Sequence, residues 1–247
     1  MVYVTGDVHS DWMARLHTAA FPEQRGMTKD DHVIICGDMG IWDRSKSENY
    51  NLDWLEKKSF TTLFVDGNHE NYDILDSLEQ SEWNGGRVHF LRPSVIHLMR
   101  GQIYQIEGRS FFTFGGARSH DIRDGILEPG DPRIKTWRKR HFKQFRVNHE
   151  SWWAREMPSE EEMEEGRKNL EKADNKVDYI ITHCPYTSLQ NRMDPESVYL
   201  PDPLTDYLEE IRQNVEYRHW LFGHMHMNRT FQDERASCLY EQIVRIL

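Results

Sequence analysis

Val33-Ile34-Ile35-Cys36-Gly37-Asp38 decides how this chain reads: a short apolar run, rich in β-branched residues, breaks at a glycine and delivers a carboxylate. A run that is apolar at every position fits a strand buried on both faces better than a half-exposed one. The pattern recurs four more times. Val2-Tyr3-Val4 leads to Asp7 and His9, and Thr61 to Val65 leads to Asn68 and His69. Tyr179-Ile180-Ile181 leads to His183, and His219-Trp220-Leu221-Phe222 leads to His224 and His226. Such strands alternating with helical patterns predict an α/β fold with a largely parallel sheet. In sheets of that kind, residues just past the C-terminal strand ends face the crevice where substrates bind.

The groups delivered there are carboxylate and amide oxygens and imidazoles, which borderline divalent ions accept, with no cysteine cluster among them. Two such ions roughly 3.5–4 Å apart lower the pKa of bound water towards about 7 and face the charge on a transferring phosphoryl group. The five runs therefore point to a two-metal site for phosphate esters. Gly6, Gly37, Gly67 and Gly223 precede the donors, where a sharp turn at a strand end costs a glycine little. Asp7 with His9, and His224 with His226, are spaced by two and face the same way on an extended segment, so each pair can serve one ion or straddle two. Singly, each block has an ordinary reading: a turn, a core histidine at His183, or an N-cap at Asn71. Five in this order have no such single explanation.

Asp7-x-His9, Gly37-Asp38, Gly67-Asn68-His69-Glu70, His183 and Gly223-His224-x-His226 together resemble the blocks of the calcineurin-like metallophosphoesterases. The resemblance implies two packed mixed β-sheets flanked by helices, a four-layer α/β sandwich. It also implies hydrolysis of phosphoric esters by a hydroxide held between two divalent metal ions. Asp7, His9 and His226 are implied ligands of one ion, Asn68, His183 and His224 of the other, with Asp38 bridging. His69 is implied to sit off the metals, over the scissile ester, as a proton donor or phosphate-stabilising group, a role worth roughly 10²–10⁴ in rate. Manganese, iron or zinc suit these donors.

The second block departs from the form Gly-Asp-x-Val-Asp-Arg-Gly found in Ser/Thr protein phosphatases and dinucleoside tetraphosphatases. Here Asp43-Arg44 arrives two residues late, and Arg44 stands as a candidate substrate contact. Gly-His-x-His is similar to the branch containing cyclic-nucleotide phosphodiesterases and nucleases. The expectation leans to phosphodiesters, with phosphomonoesterase or Ser/Thr-type protein phosphatase as the alternative. A non-catalytic metal-binding interaction scaffold is the rival from another class. Lost ligands or a lost third-block histidine would mark it, and none is missing.

The chain, residues 1–247, is expected to be a single domain with an irregular, cap-like insertion at about 117–158, where Gly, Pro, Arg and Trp accumulate. Helices are predicted at Asp11–Ala20, Tyr50–Lys58 and Asn71–Glu79. Close-set strands from Arg87 to Gly116 predict a second sheet region, with a hairpin of Gln102–Ile106 and Arg109–Phe114 around Glu107-Gly108. Ser159 and Glu162 form a capping box for a helix running to about Asp174. Beyond it lie a strand at Tyr179–Thr182, a helix at Leu204–Arg212 and a tail of strands from Arg218 to Leu247. Arg118 and His120, which follow an apolar strand, are candidate substrate contacts. Arg133 to Arg146 is basic with interleaved aromatics and reads as a solvated surface helix rather than a phosphate-gathering strip. Trp152 and Trp153 read as packing.

With 31 basic against 41 acidic residues, the formal charge of −10 disfavours non-specific nucleic-acid binding. Cys36, Cys184 and Cys238 are too few and too scattered for a disulfide framework. No apolar run is long enough for a membrane span, and the first residues read as a strand rather than a signal. A cytoplasmic protein with a phosphate-ester substrate and no membrane partner is the expectation. Oligomeric state is not encoded in these patterns.

Overall fold

The first half of the chain runs β1 (Val2–Thr5), α1 (Trp12–Leu16), β2 (His32–Ile35), α2 (Lys46–Glu56), β3 (Thr61–Phe64), α3 (Tyr72–Leu75), β4 (Gln80–Trp83), β5 (Gly86–Arg92) and β6 (Val95–Leu98). There follow β7 (Gln102–Ile106), β8 (Arg109–Phe114), β9 (Gly125–Leu127), α4 (Pro132–Trp137), β10 (Phe145–Val147), α5 (Glu160–Lys172) and β11 (Tyr179–Thr182). The chain closes with α6 (Thr187–Met193), α7 (Pro203–Asn214), β12 (His219–Phe222), β13 (Arg229–Phe231), β14 (Ala236–Cys238) and β15 (Ile243–Arg245). These elements come from a computed structural model that describes residues 1–196 and 198–247.

Two mixed sheets result. The first has the order β15-β1-β2-β3-β6-β5-β4, and the second β13-β14-β12-β11-β8-β7. Within the first, β1, β2, β3 and β6 are parallel neighbours. Within the second, β8, β11, β12 and β14 are parallel neighbours. Antiparallel strands close the edges of both.

Alternation along the strands makes the layers. Val2 and Val4, Ile34 and Cys36, and Ile181 and Leu221 enter one apolar cluster shared by the two sheets. Their neighbours Tyr3, Val33 and Ile35 turn the other way, onto Trp12 and Leu16 of α1 and Leu52 and Leu55 of α2. Ile180, Trp220 and Phe222 likewise face Leu170 of α5, Leu189 of α6 and Leu208 of α7. Each strand is therefore buried on both faces, which is why the runs are apolar throughout instead of alternating. The architecture is the two-sheet α/β sandwich the sequence implied.

Boundaries differ from expectation where local caps intervene. The helix predicted at Asp11–Ala20 stops at Leu16, because His17 leaves it in an extended conformation. The second predicted helix starts four residues early, since the Ser45 side chain accepts from Glu48 N and caps it. The third is a single turn before the chain enters β4. Strands β5 and β6, expected in the second sheet region, extend the first sheet instead, and only β7 and β8 open the second. The Ser159–Glu162 capping box is formed as read. Residues 117–158 hold a two-stranded parallel sheet of β9 and β10, with Leu127, Ile134 and Val147 in a small cluster of their own. Within the basic stretch the helix ends at Trp137. Trp153 is buried against the helical face of the first sheet, and its indole N–H donates to Asp73 at 2.8 Å. Among the described residues no helix is long and apolar enough to cross a membrane.

Candidate metal centre

β1, β2 and β3 lie side by side in one sheet and β11 and β12 in the other, and hydrogen bonds tie their C-terminal ends together. His183 Nδ1 lies 2.8 Å from the Cys36 carbonyl, and His224 N donates to Asp7 Oδ1 at 2.8 Å. His69 N donates to Asp38 Oδ1 at 2.8 Å. All five predicted blocks thus meet. Three overlapping triads have donor atoms within 4.8 Å of one another: Asp7, His9 and His226; Asp7, Asp38 and His183; His9, Asp38 and His69. Asn68 Oδ1 stands 3.2 Å from His183 Nε2, and the His224 ring centre 4.9 Å from that of His183. The third triad brings His69 within reach of the donors, whereas the resemblance implies it off the metals.

The backbone here is unusual. His9, Asp38, His224 and His226 all have positive φ, between 47° and 64°. Such left-handed conformations cost non-glycine residues about 1–3 kcal/mol each and gather at functional sites. The extended segments expected to align Asp7 with His9, and His224 with His226, are therefore tight turns. Of the four glycines, only Gly37 needs its φ of +91°, and a Cβ there would also stand 2.1 Å from His183 Nδ1. Gly67 and Gly223 supply room instead, since a Cβ would stand 2.1 Å from Asp38 Oδ1 or Asp7 Oδ1. Glu70 fixes the second block from beneath. Its buried carboxylate accepts from Met39 N (2.6 Å), Gly40 N (3.1 Å) and Ile41 N (2.9 Å).

A divalent ion fits these donors. Asp7 Oδ2 is buried with no hydrogen-bond partner, although His226 Nε2 is 3.1 Å away without the alignment of a bond. If His183 donates from Nδ1 to Cys36, its Nε2 turns a lone pair on Asn68 Oδ1 at 3.2 Å and Asp38 Oδ1 at 3.3 Å, so a cation belongs between them. Burial, followed by His183, holds the pKa of His224 well below the ordinary range. Burial also lowers those of His9 and His69. Neutral imidazoles are the form a metal binds. Burial would raise the Asp7 carboxyl, but His183, His226 and the His224 N–H offset it and hold it at about 2.

Other nominated residues fare differently. Arg44 is not brought to the donors: its guanidinium bonds Ser77 Oγ (3.1 Å) and the Ile74 carbonyl (3.4 Å) at the end of α3. Its late arrival after Asp38 accounts for the displacement. His120 lies beside the centre, its ring 6.1 Å from that of His224, and Arg118 lines the same cavity. Four of the seven cations of the basic stretch are ion-paired, Arg133 on Asp131, Arg138 on Glu150, Lys143 on Asp124 and Arg146 on Asp121.

Sequence reading missed the aromatic frame. Trp42 packs edge-on at 5.9 Å from His69, Tyr199 at 5.1 Å from His224, and Tyr240 stacks at 4.7 Å on His226. Arg15 also went unnoticed; it bonds the Asp7 carbonyl at 3.2 Å, and also Tyr240 O. Only Trp42 carried a local signal, sitting four residues after Asp38 in the second block.

The family model for calcineurin-like phosphoesterases matches residues 1–228. No match among curated proteins accompanies it. Among solved structures, the phosphopantetheinyl hydrolase of Mycobacterium tuberculosis is similar at 15% identity and a TM-score of 0.44, over 97% of this chain and 87% of that one. The matched residues run from β1 past β12 and include every nominated metal donor, so the chain belongs to the calcineurin-like phosphoesterase family, whose members hydrolyse phosphoric esters with divalent metals.

Proposed function

We propose that this protein is a binuclear metal phosphoesterase that favours phosphodiesters. Asp7, His9 and His226 hold one ion, Asn68, His183 and His224 the other, and Asp38 is shared. The observation that carries the reading is the overlap of three donor triads around two buried carboxylates, with no lysine or arginine pairing either carboxylate among the described residues. Manganese, iron or zinc, when bound, supplies a hydroxide at neutral pH and positive charge facing the phosphoryl oxygens. The chain's own residues do the rest. Burial favours a neutral His69, which keeps one N–H to direct at an ester oxygen, and Trp42 fixes its ring edge-on. Asp38 receives the His69 backbone N–H, so the shared ligand and the substrate-facing histidine are positioned together.

The chain acts as one domain, with residues 117–158 as a cap over the donor edge. The buried free thiols of Cys36, Cys184 and Cys238 fit a reducing, cytoplasmic setting. In manganese-supplied assays, Asp38→Asn and His69→Ala are each expected to lose about a hundredfold or more of turnover while the circular dichroism spectrum is kept. Bis(p-nitrophenyl) phosphate is expected to turn over faster than p-nitrophenyl phosphate. Full activity in both variants overturns the roles given to Asp38 and His69, absence of metal-dependent turnover in the wild type overturns the hydrolytic reading, and a monoester preference overturns the diester one.

A further inference from the structure

The donor edge is flanked by two cavities of opposite charge. On one side a cavity of about 610 Å³ touches Asp7 and His9 and is lined by Asp11, Glu23 and Glu241 against Arg15 alone. On the other a cavity of about 320 Å³ opens beside His224 and carries Arg118 and Arg123 at its rim. Both guanidiniums are exposed, and neither has a hydrogen bond or ion pair among the described residues. The one carboxylate in that wall, Asp202, is buried and committed to capping α7 through Leu204 N (2.9 Å) and Thr205 N (3.0 Å).

Between rim and floor the wall mixes aromatic and apolar side chains with Ser119, Gln190 and Thr205. The Tyr199 ring lies 4.7 Å from His120 and 5.1 Å from His224, with Ile122 and Leu200 beside it and the buried Cys184 behind. A volume near the lower end of small-ligand sites, roughly 300–1,000 Å³, takes one ring and little more.

We propose that this cavity is a subsite for the organic part of the ester, and that this part is a ring or short apolar group bearing a second anion, carboxylate or phosphate, that Arg118 and Arg123 grip. The proposal rests on the phosphoesterase reading and adds the class of substrate. It also sets a direction. An anion-bearing group is repelled by the acidic cavity and drawn to the basic one, so the ester lies across the donors in one sense.

Inert analogues test it without turnover. Calorimetric binding of 4-carboxybenzylphosphonate and its uncharged partner 4-carbamoylbenzylphosphonate to the manganese-loaded protein is compared at low ionic strength. The carboxylate is expected to bind about tenfold or more tightly, as charge-assisted hydrogen bonds to guanidinium allow. Arg118→Gln with Arg123→Gln is expected to erase that preference, and Tyr199→Ala to weaken both ligands equally. Equal binding of the two phosphonates by the wild type, or a preference that survives the double substitution, overturns the subsite. Turnover of the matching p-nitrophenyl diesters is read separately: its absence sinks the diester reading and leaves the binding result standing.

Discussion

Asp7 and Asp66 are both wholly buried carboxylates two residues beyond the end of a parallel strand, yet the fold pairs only Asp66 with a cation of its own. Asp66 Oδ2 takes Arg100 Nε at 2.9 Å, Arg100 Nη2 at 2.6 Å and the Tyr72 hydroxyl at 2.9 Å, while Oδ1 faces His97 Nε2 at 3.1 Å. Burial would raise this carboxyl, but Arg100 and His97 hold it far below the usual range. Asp7 has imidazoles and one orphaned oxygen, and Arg15 reaches its backbone carbonyl instead of its carboxylate. An arginine cannot release its proton, whereas histidines can, so the two sites respond differently to loss of charge. The difference teaches which buried carboxylate is a structural pair and which awaits a metal.

The largest expected effect follows from that contrast. Asp66→Asn leaves the buried Arg100 with only Glu162, 3.3 Å from its Nη1 and more exposed, as counter-charge, at a cost of about 3 kcal/mol, the lower end for a broken buried pair, and a fall in melting temperature of roughly 10 °C. In the same chelator-containing buffer, Asp7→Asn is expected to cost less than half as much, because its partners are imidazoles, which unlike a guanidinium need carry no charge. Equal losses in calorimetry would erase the distinction.

Glu156 shows a third treatment of a buried carboxyl. Ser119 N (2.8 Å) and Ser119 Oγ (2.6 Å) bond it, it has no ion-pair partner among the described residues, and burial pushes it from 4.5 to about 7. A raised folded pKa favours the protonated form, so the penalty is absent below pH 4.5, grows between 4.5 and about 7, and is complete above. At about 1.4 kcal/mol per pH unit the penalty is about 3 kcal/mol. Glu156→Gln is expected to stabilise the protein by that order at pH 8 and by little at pH 4.5, in paired denaturant titrations. A loss of stability at pH 8 would place Glu156 among the cation-paired carboxylates.

Metal itself should act on one region only. Saturating manganese or zinc at about a hundred times its Kd adds about 2.7 kcal/mol for each ion bound. Thermal scans are expected to show this rise in the wild type and in Glu156→Gln, and to lose the part due to one ion in Asp7→Asn. A rise of equal size in Asp7→Asn would remove Asp7 from the ligand set.

The donor side of this comparison was legible in the sequence because each donor follows directly from a strand whose apolar run is local. Asp66 sits between the third apolar run and its block, flanked by Val65 and Gly67, and still gave no signal. Its partners Arg100 and His97 lie far along the chain, and nothing local distinguishes them from surface residues. Tyr199 and Tyr240 were hidden for the same reason, since only the meeting of the two sheets brings them to His224 and His226. The membership of β5 and β6 in the first sheet was equally invisible. Antiparallel hairpin patterns specify a neighbour but not which of two sheets it joins, and here pairing of β6 with β3 decides.

The smallest effect asks whether the two regions are independent. The Tyr72 hydroxyl lies 2.6 Å from the Gly67 carbonyl and receives Arg100 Nη2 at 3.0 Å, so the paired carboxylate is one hydroxyl away from the peptide that carries Asn68. Tyr72→Phe keeps the buried ring and removes that link, at an expected cost of about 1 kcal/mol. If the link orients Asn68, calorimetric affinity for zinc or manganese falls as well, by roughly tenfold, the lower end for an outer-shell partner. Tyr207→Phe is the matched control, because its buried hydroxyl has no hydrogen-bond partner among the described residues; it is expected to leave both stability and metal affinity intact. Undiminished affinity in Tyr72→Phe would mean that the cation-paired carboxylate holds the fold alone, and that the metal donors take their positions from the strand ends without it.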